Sequence, residues 1–312
     1  MTQLDAPQHA AENENPLWDT IVIGAGPAGL SAALMLTRGR RRVLVLDHGV
    51  PRNRFTDHMH GVLGHEGLAP GELRRLGRAE VEAHEGVFDE AEVVSVTPIG
   101  DDDGARVHVA TKDGRAFRAR TVVVATGLRD ELPNVPGLRA LWGRGVYACP
   151  FCDGYEYRDR PIAVLAAGEH SDLKAHLLRQ WSGDLVLLVN GSFTLGQAEA
   201  RSLAARGVRV ERSGVDEVLA GTDGRVRGVR LANGSELELE AIFTNPTFVP
   251  LTGMLDGVDI RGPEHPESRV WVVGNAGDPR ANVPVSIGQG AAAGGDVAFA
   301  LLMDEIAAAG RV

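Results

Sequence analysis

A chain of 312 residues has room for about two domains of ~100–200 residues each, and its 44% hydrophobic content excludes a disordered or collagen-like protein. Its 39 glycines form no Gly-X-Y or Gly-Ser repeat, so they point to tight turns and close backbone approaches. The formal net charge of −10 opposes counterion-release binding to a polyanion, which argues against nucleic acid and anionic membrane as partners.

Lys112 and Lys174 are the only lysines; we read this arginine bias as compositional, with no function attached, and Arg74, Arg75 and Arg78 as a solvated helix face. Residues 1–16 are polar and acidic, with no cationic stretch leading into an apolar one, and no run approaches ~18 uninterrupted apolar residues. The expectation is a frayed terminus before Trp18 and a soluble, cytoplasmic protein.

Residues 19–23 form a short apolar run expected as a strand, followed by Gly24-Ala25-Gly26-Pro27-Ala28-Gly29 and then apolar residues at helical spacing, Leu30, Ala33 and Leu34. This is strand, glycine turn, helix. A second strand, 43–46, ends at Asp47, close to the offset of ~20 residues at which an acid meets an adenosine ribose. Each glycine has its own reason: Gly24 for the tight turn, Gly26 for backbone approach to a pyrophosphate, Gly29 for close helix–strand packing. The set predicts dinucleotide binding.

Arg52-Asn53-Arg54-Phe55 opens a loop carrying His58, His60 and His65. A metal site is the alternative reading, but His58 and His60 point to opposite sides of an extended segment, and no cysteine or close carboxylate pair completes a ligand set. Loop or cofactor-lining residues, Arg54 and His60 among them, are preferred. A charged helix is expected around 71–85, then a small antiparallel excursion over 91–120 with turns at 100–104 and 113–114. The apolar segment Thr121-Val122-Val123-Val124-Ala125-Thr126-Gly127 reads as a buried parallel strand whose glycine clears space at its carboxyl end.

After a linker marked by Pro133, Pro136 and Gly137, a second βαβ-like unit is expected: strand 161–165, turn Ala166-Ala167-Gly168-Glu169-His170-Ser171, helix to about 181, strand 185–189. From 242 the chain returns through Thr244-Asn245-Pro246 to Val270-Trp271-Val272-Val273-Gly274-Asn275, and a long Ala/Gly-rich helix runs to about 308. The fold class is therefore α/β, with two Rossmann-like dinucleotide-binding domains, the second inserted into the first. Residues 16–143 and 246–312 are expected to make one, and 144–245 the other.

Both cysteines lie in Cys149-Pro150-Phe151-Cys152, followed by Asp153-Gly154. A C-x-x-C at a helix start suits a redox-active disulfide whose thiolates gain from the helix dipole and backbone N–H groups. Zinc held with His170 and His176 is the rival; a whole strand intervenes, and the two histidines sit on different helix faces. Inert core thiols are the third reading.

Gly24 to Gly29, Ala125-Thr126-Gly127, Cys149 to Gly154 and Gly274-Asn275 together resemble the low-molecular-weight thioredoxin reductases, a family of FAD flavoproteins, over essentially the whole chain after Trp18. Segments 52–65 and 149–160 look closest to the thioredoxin-reductase-like dithiol oxidases of the gliotoxin and holomycin type. The resemblance implies FAD, with Gly24, Gly26, Pro27, Ala28 and Gly29 at its pyrophosphate, Asp47 at its ribose, and Ala125, Thr126, Gly127 and Gly274 lining the site. It implies Cys152 as the flavin-side thiolate, Cys149 as the thiol that exchanges with substrate, and Asp153 as their acid–base partner. Asn275 stands where the family commonly has Asp, keeping a ribityl contact with an amide. Val283-Pro284-Val285 replaces the family's Arg-Gln-Ala at the start of the last helix, so contacts there should be mostly backbone. A homodimer is also implied.

In the second unit's turn, Ala166 and Ser171 occupy the first and third glycine places, and Glu169 would repel a pyrophosphate; Asn190-Gly191-Ser192 offers neither the acid for NAD nor the basic pair for NADP. NAD(P)H is therefore expected to bind weakly or not at all. The leading function is oxidation of a small-molecule dithiol, or a thioredoxin-like protein, through the cysteines and FAD, with oxygen as acceptor. The alternatives are a thioredoxin reductase using NADPH or another donor such as ferredoxin, and a flavin-bound redox sensor.

Overall fold

The computed structural model describes residues 16–102, 104–255, 257–258 and 269–310. The terminus expected to fray lies, up to residue 15, outside the described residues. In chain order the elements are β1 (Leu17–Ile23), α1 (Pro27–Arg38), β2 (Val43–Asp47), α2 (Pro70–Glu82), β3 (Val87–Glu90), β4 (Val93–Asp102), β5 (Ala105–Thr111), β6 (Ala116–Val124), β7 (Leu128–Glu131), β8 (Val146–Tyr147), α3 (Pro150–Asp153), β9 (Ile162–Leu165), α4 (Ser171–Leu178), β10 (Leu185–Leu188), α5 (Gln197–Ala205), β11 (Arg209–Glu211), β12 (Val215–Ala220), β13 (Val226–Leu231), β14 (Glu236–Glu238), β15 (Ala241–Thr244), β16 (Thr247–Pro250), β17 (Val270–Val272) and α6 (Val283–Ala309).

By compactness the chain divides in two. The first unit is Met1–Pro51, Leu73–Leu128 and Pro250–Val312; the second is Arg52–Glu72 and Arg129–Val249. The histidine loop is thus grouped with the unit that carries the cysteines, whereas the expected division at 143 and 144 counts it with the first nucleotide domain.

The first unit is built on a sheet of order β3-β2-β1-β6-β5-β4, with β17 also on β6. The segments expected as a separate excursion strand and a buried parallel strand are one strand, β6, with two partners along the same edge. Ala116–Ala119 pair antiparallel with β5, and Val122–Val124 pair parallel with β17. Burial explains the change in pattern. The first half is covered on one side and mixes polar with apolar residues; the second is covered on both and reads as unbroken apolar sequence.

α6 lies along α1 at short range because glycines face it: a Cβ on Gly290 would stand 2.0 Å from Ala28 O, and one on Gly294 2.9 Å from Ala32 O. By length and composition alone α6 is long and apolar enough to cross a membrane, although Asp296 interrupts its apolar run. Its last turns carry Asp304, bonded to Arg269 at 2.7 and 2.9 Å, and Glu305, paired with Arg41 and Arg120.

The second unit holds a five-stranded parallel sheet of order β11-β10-β9-β15-β8 and a three-stranded antiparallel sheet, β12-β13-β14. β9, β10 and β15 are buried along their full length, as parallel strands covered on both faces must be. α4 ends at Leu178, short of the expected 181, because the chain tightens there: Trp181 N–H bonds Leu178 O at 2.9 Å.

Candidate active site

The first glycine turn joins β1 to α1, and of its three glycines two are fixed by the fold and one is not. Gly24 has φ +100, and a Cβ there would lie 2.6 Å from Ala125 O. A Cβ on Gly29 would lie 1.9 Å from Gly24 O, so α1 can reach its strand only without one. Gly26 is different: its φ of −79 suits any residue, and a Cβ would meet nothing within 4 Å. Open space against bare backbone at a helix N-terminus, with Pro27 opening α1 behind it, fits the pyrophosphate of a dinucleotide.

Asp47, at the end of β2, closes this turn. Its Oδ1 accepts from Ala25 N–H at 3.0 Å, and its Oδ2 from Gly49 N–H at 3.1 Å and Arg74 Nη2 at 2.7 Å. Arg74 also donates to Ala25 O at 3.1 Å, so the reading of Arg74 as a solvated residue is corrected: from α2 it braces both the acid and the turn. A carboxylate has about four lone-pair directions, so Oδ1 keeps one for a ribose hydroxyl.

Ala125-Thr126-Gly127 and Gly274-Asn275 stand at the carboxyl ends of β6 and β17, beside the glycine turn. Gly127 has φ +75, and Thr126 Oγ1 donates to Leu251 O at 2.6 Å. Gly274, at φ +62, leaves no room for a Cβ, which would be 2.8 Å from Ala28 Cβ, and its N–H is taken by Gln289 Oε1 at 3.0 Å. Asn275 Nδ2 donates to the carbonyls of Asp278, Pro279 and Ala281, at 3.1, 3.3 and 2.7 Å. An aspartate there could not donate to those carbonyls, which gives the amide a physical reason.

α6 begins at Val283, one residue before the expected Pro284. Asn282 Oδ1 caps Val285 N–H at 3.1 Å and Pro284 has no N–H, so Val283 supplies the remaining donor of that segment.

In the second unit Cys149 and Cys152 are joined as a disulfide, with Cα atoms 5.3 Å apart. Cys149 is the N-cap of α3, and its Sγ accepts from Cys152 N–H at 3.2 Å. α3 is a single turn of four residues, so the dipole expected to favour thiolates is slight, and that N–H does the local work. Gly154 lets the turn sit on Trp181: a Cβ there would be 3.1 Å from the indole. Phe151 meets Trp181 edge to face at 5.6 Å and, with Tyr155, stays exposed, 69% and 62%. Among the described residues no group of three or more His, Cys, Asp or Glu could hold a metal ion.

His60 lies between two carboxylates, Nδ1 at 2.8 Å from Glu66 and Nε2 at 3.6 Å from Glu156. The Asp153 carboxyl is pushed up to about 7 by burial and by the Glu156 charge, with His60 pulling the other way. Arg54 stacks on Phe55 at 4.1 Å. His60 and Arg54 belong, with the cysteines and Asp153, to the second unit; the glycines, Asp47 and Asn275 belong to the first.

The shifted Asp153 makes a stability prediction. Because the fold favours its neutral form, the folded chain holds more protons than the unfolded one between about pH 4 and 7, and the stability this contributes is present below about pH 4 and lost as pH rises through 7. Asp153→Asn, neutral at every pH, should raise Tm over the unsubstituted protein at pH 8 and not at pH 4. Thermal unfolding at both values checks it; equal shifts at both remove the titration.

The second glycine turn closes on itself. Ser171, buried in the third glycine's place, donates through Oγ to Gly168 O at 2.7 Å and accepts from Ala167 N–H at 3.3 Å. At the end of β10, Asn190 has φ +49 and its Oδ1 is held by Val215 N–H at 2.7 Å. Lys174, on α4, donates to Ala148 O and Thr244 O at 2.5 and 2.7 Å.

Residues 18–245 match the family model of the pyridine nucleotide-disulphide oxidoreductases. The chain belongs to that family. It is an oxidoreductase, and flavoproteins of that family bind FAD. A probable thioredoxin reductase of Arthroderma benhamiae is 36% identical over 178 residues, 56% of this chain and 44% of its own length. Thioredoxin reductase tcpT of Claviceps purpurea is 29% identical over 304 residues, covering 92% of this chain and 95% of its own. The crystal structure of HlmI is 41% identical, with a TM-score of 0.88 over 94% of this chain and 95% of that one. The expected likeness to thioredoxin-reductase-like flavoproteins, in particular their dithiol-oxidase branch, and the expected pair of Rossmann-like domains both hold.

Within this disulphide oxidoreductase, sequence reasoning passed over Arg74, Asn282, Glu66, Glu156 and Lys174. Asn282 carried a signal, an N-cap residue followed closely by proline. The others are ordinary charged residues until the fold aims them.

Proposed function

We propose that this flavoprotein oxidises a dithiol to a disulfide through Cys149 and Cys152. The observation that carries the reading is the contrast within one unit: a ready disulfide beside an acid held near neutrality, and a nucleotide turn whose third glycine place is filled by a serine bonded across it. Substrate thiolate exchanges at Cys149, Asp153 moves the protons, and Cys152 is the thiol that would pass the electron pair on to the cofactor. FAD, when bound, supplies the two-electron acceptor between the thiol pair and oxygen. The balance is closed: two substrate thiols become one disulfide, and oxygen takes two electrons and two protons to give hydrogen peroxide. The test is whether a small dithiol, and not NADPH, bleaches the flavin band rapidly in the absence of air.

In this reading residues 16–143 and 246–312 hold FAD and 144–245 carry the thiol pair. Val283 N–H and the start of α6 would meet the flavin ring, and Arg54 and His60 would count among the cofactor-binding residues. The protein works as a homodimer; the exposed stripe Phe299, Leu302, Met303 and Ile306 of α6 offers apolar surface for it. The names of the relatives favour a second reading, a reductase fed by NADPH.

The flavin assignment makes its own prediction at Gly26. Gly26→Ala meets nothing within 4 Å and keeps an allowed φ, so the flavin-free protein should unfold at the same temperature as the unsubstituted one. FAD affinity should fall at least about tenfold, because the methyl stands where a phosphate oxygen must approach backbone. Titrating stripped protein with FAD reads the loss; unchanged affinity would place the pyrophosphate elsewhere.

A further inference from the structure

Lys174 is a cation in an expensive place. Its ammonium is held by two neutral carbonyls, Ala148 O at 2.5 Å and Thr244 O at 2.7 Å, and among the described residues no carboxylate pairs with it. Burial alone acts on it and pushes it down to about 8. A methionine would fill such a volume without the cost of desolvating a charge. What sets the position apart is the first acceptor: Ala148 is the residue before Cys149, and covalent geometry keeps Cys149 Sγ within ~8 Å of any group bonded to Ala148 O.

We propose that Lys174 is a positioning residue of the redox pair, pinning the peptide that leads into Cys149 to the end of β15 and setting one positive charge behind the thiols that favours thiolate over thiol. The proposal rests on the reading that Cys149 and Cys152 cycle between disulfide and dithiol. It supplies what α3 cannot, since one turn of helix has little dipole to offer. The ionisable groups near it in the chain are Asp172 and His176 on α4, and Asp153 on α3 with Glu156 after it; none acts on the Lys174 ammonium, whose shift has burial as its sole cause. Clamp and charge separate with pH, because a neutral amine keeps two N–H bonds, enough for both carbonyls.

Two lysines make the test direct. Holoprotein labelled with ¹³C at lysine Cε gives two resonances, and Lys112→Arg, a change at an exposed site, assigns them. The Lys174 signal should titrate near pH 8. Anaerobic reduction with excess phosphine should raise its midpoint by about one unit, because a cation that favours a thiolate is favoured by it to the same extent. The double variant Cys149→Ser with Cys152→Ser, its flavin reduced by dithionite, gives the flavin's own contribution for subtraction. In the reduced protein, Lys174→Met should raise the pH of half-maximal alkylation by about one unit, and Lys174→Arg should stay within a few tenths.

A Lys174 midpoint that does not move on reduction overturns the proposal even if Lys174→Met fails to fold. So does an equal shift in the Met and Arg variants. Failure of the cycling reading looks different: the wild-type thiols alkylate with the expected pH dependence, yet no dithiol exchanges with the disulfide.

Discussion

Cys152→Ser should abolish dithiol turnover, by a factor on the order of 10³ or more, and Cys149→Ser should do the same while leaving a different colour. The two sulfurs are not equivalent. Cys149 Sγ accepts the Cys152 N–H at 3.2 Å, and on reduction that bond becomes charge-assisted, contributing roughly 1.5–3 kcal/mol towards the thiolate of Cys149. In the proposed order a substrate thiolate attacks Cys149 Sγ and expels Cys152 as the thiolate, and once a second substrate thiol releases Cys149 the Cys152 N–H receives its negative charge. With Cys149 replaced, the remaining Cys152 thiolate should give a long-wavelength absorption band with the flavin; with Cys152 replaced, the band should be missing. Absorption spectra of the two purified variants decide the order. Full dithiol turnover in both would show that the pair is a structural disulfide.

The parts of this molecule that sequence exposes are those in which residue type and backbone conformation are locked together. Gly24 must have positive φ and Gly29 must admit a carbonyl at contact distance, so the turn from β1 to α1 can be read without a structure. The cysteines are legible in part: two residues apart at a helix start they suit the disulfide that the fold contains, although the same spacing left zinc and inert thiols as readings. Side-chain aim is not legible. Arg74, Arg75 and Arg78 look alike in sequence, yet Arg74 braces Asp47 at 2.7 Å while Arg78 pairs with Glu82 one turn along the exposed face of α2. Lys174 looks like composition until β15 and the strand before Cys149 bring two carbonyls to it. β6 misleads for a related reason: its change of partner midway leaves a burial pattern that sequence reports as two strands.

NADPH should reduce the flavin far more slowly than a small dithiol does. A nicotinamide dinucleotide needs free backbone N–H groups at a glycine turn and a cation for its 2′-phosphate. Here the Ala167 N–H is spent on Ser171 Oγ, and Glu169 and Asp172 stand at the start of α4, where phosphate charge would have to settle. The end of β10 offers no replacement: Asn190 is tied to Val215 N–H, and Gly191 and Ser192 carry no charge. Lys174 spends two of its three donors on backbone carbonyls. A missing charge-assisted hydrogen bond weakens binding by roughly 1.5–3 kcal/mol, about tenfold to over a hundredfold in affinity, so the lack of two moves a micromolar site to about millimolar. Anaerobic stopped-flow mixing reads the outcome at the flavin band. Slow, unsaturated bleaching by NADPH beside fast bleaching by a dithiol, with one hydrogen peroxide formed per disulfide once air is admitted, supports the oxidase. Rapid, saturable bleaching by micromolar NADPH would mean that the turn at 166–171 opens on binding, and would return the protein to the reductases.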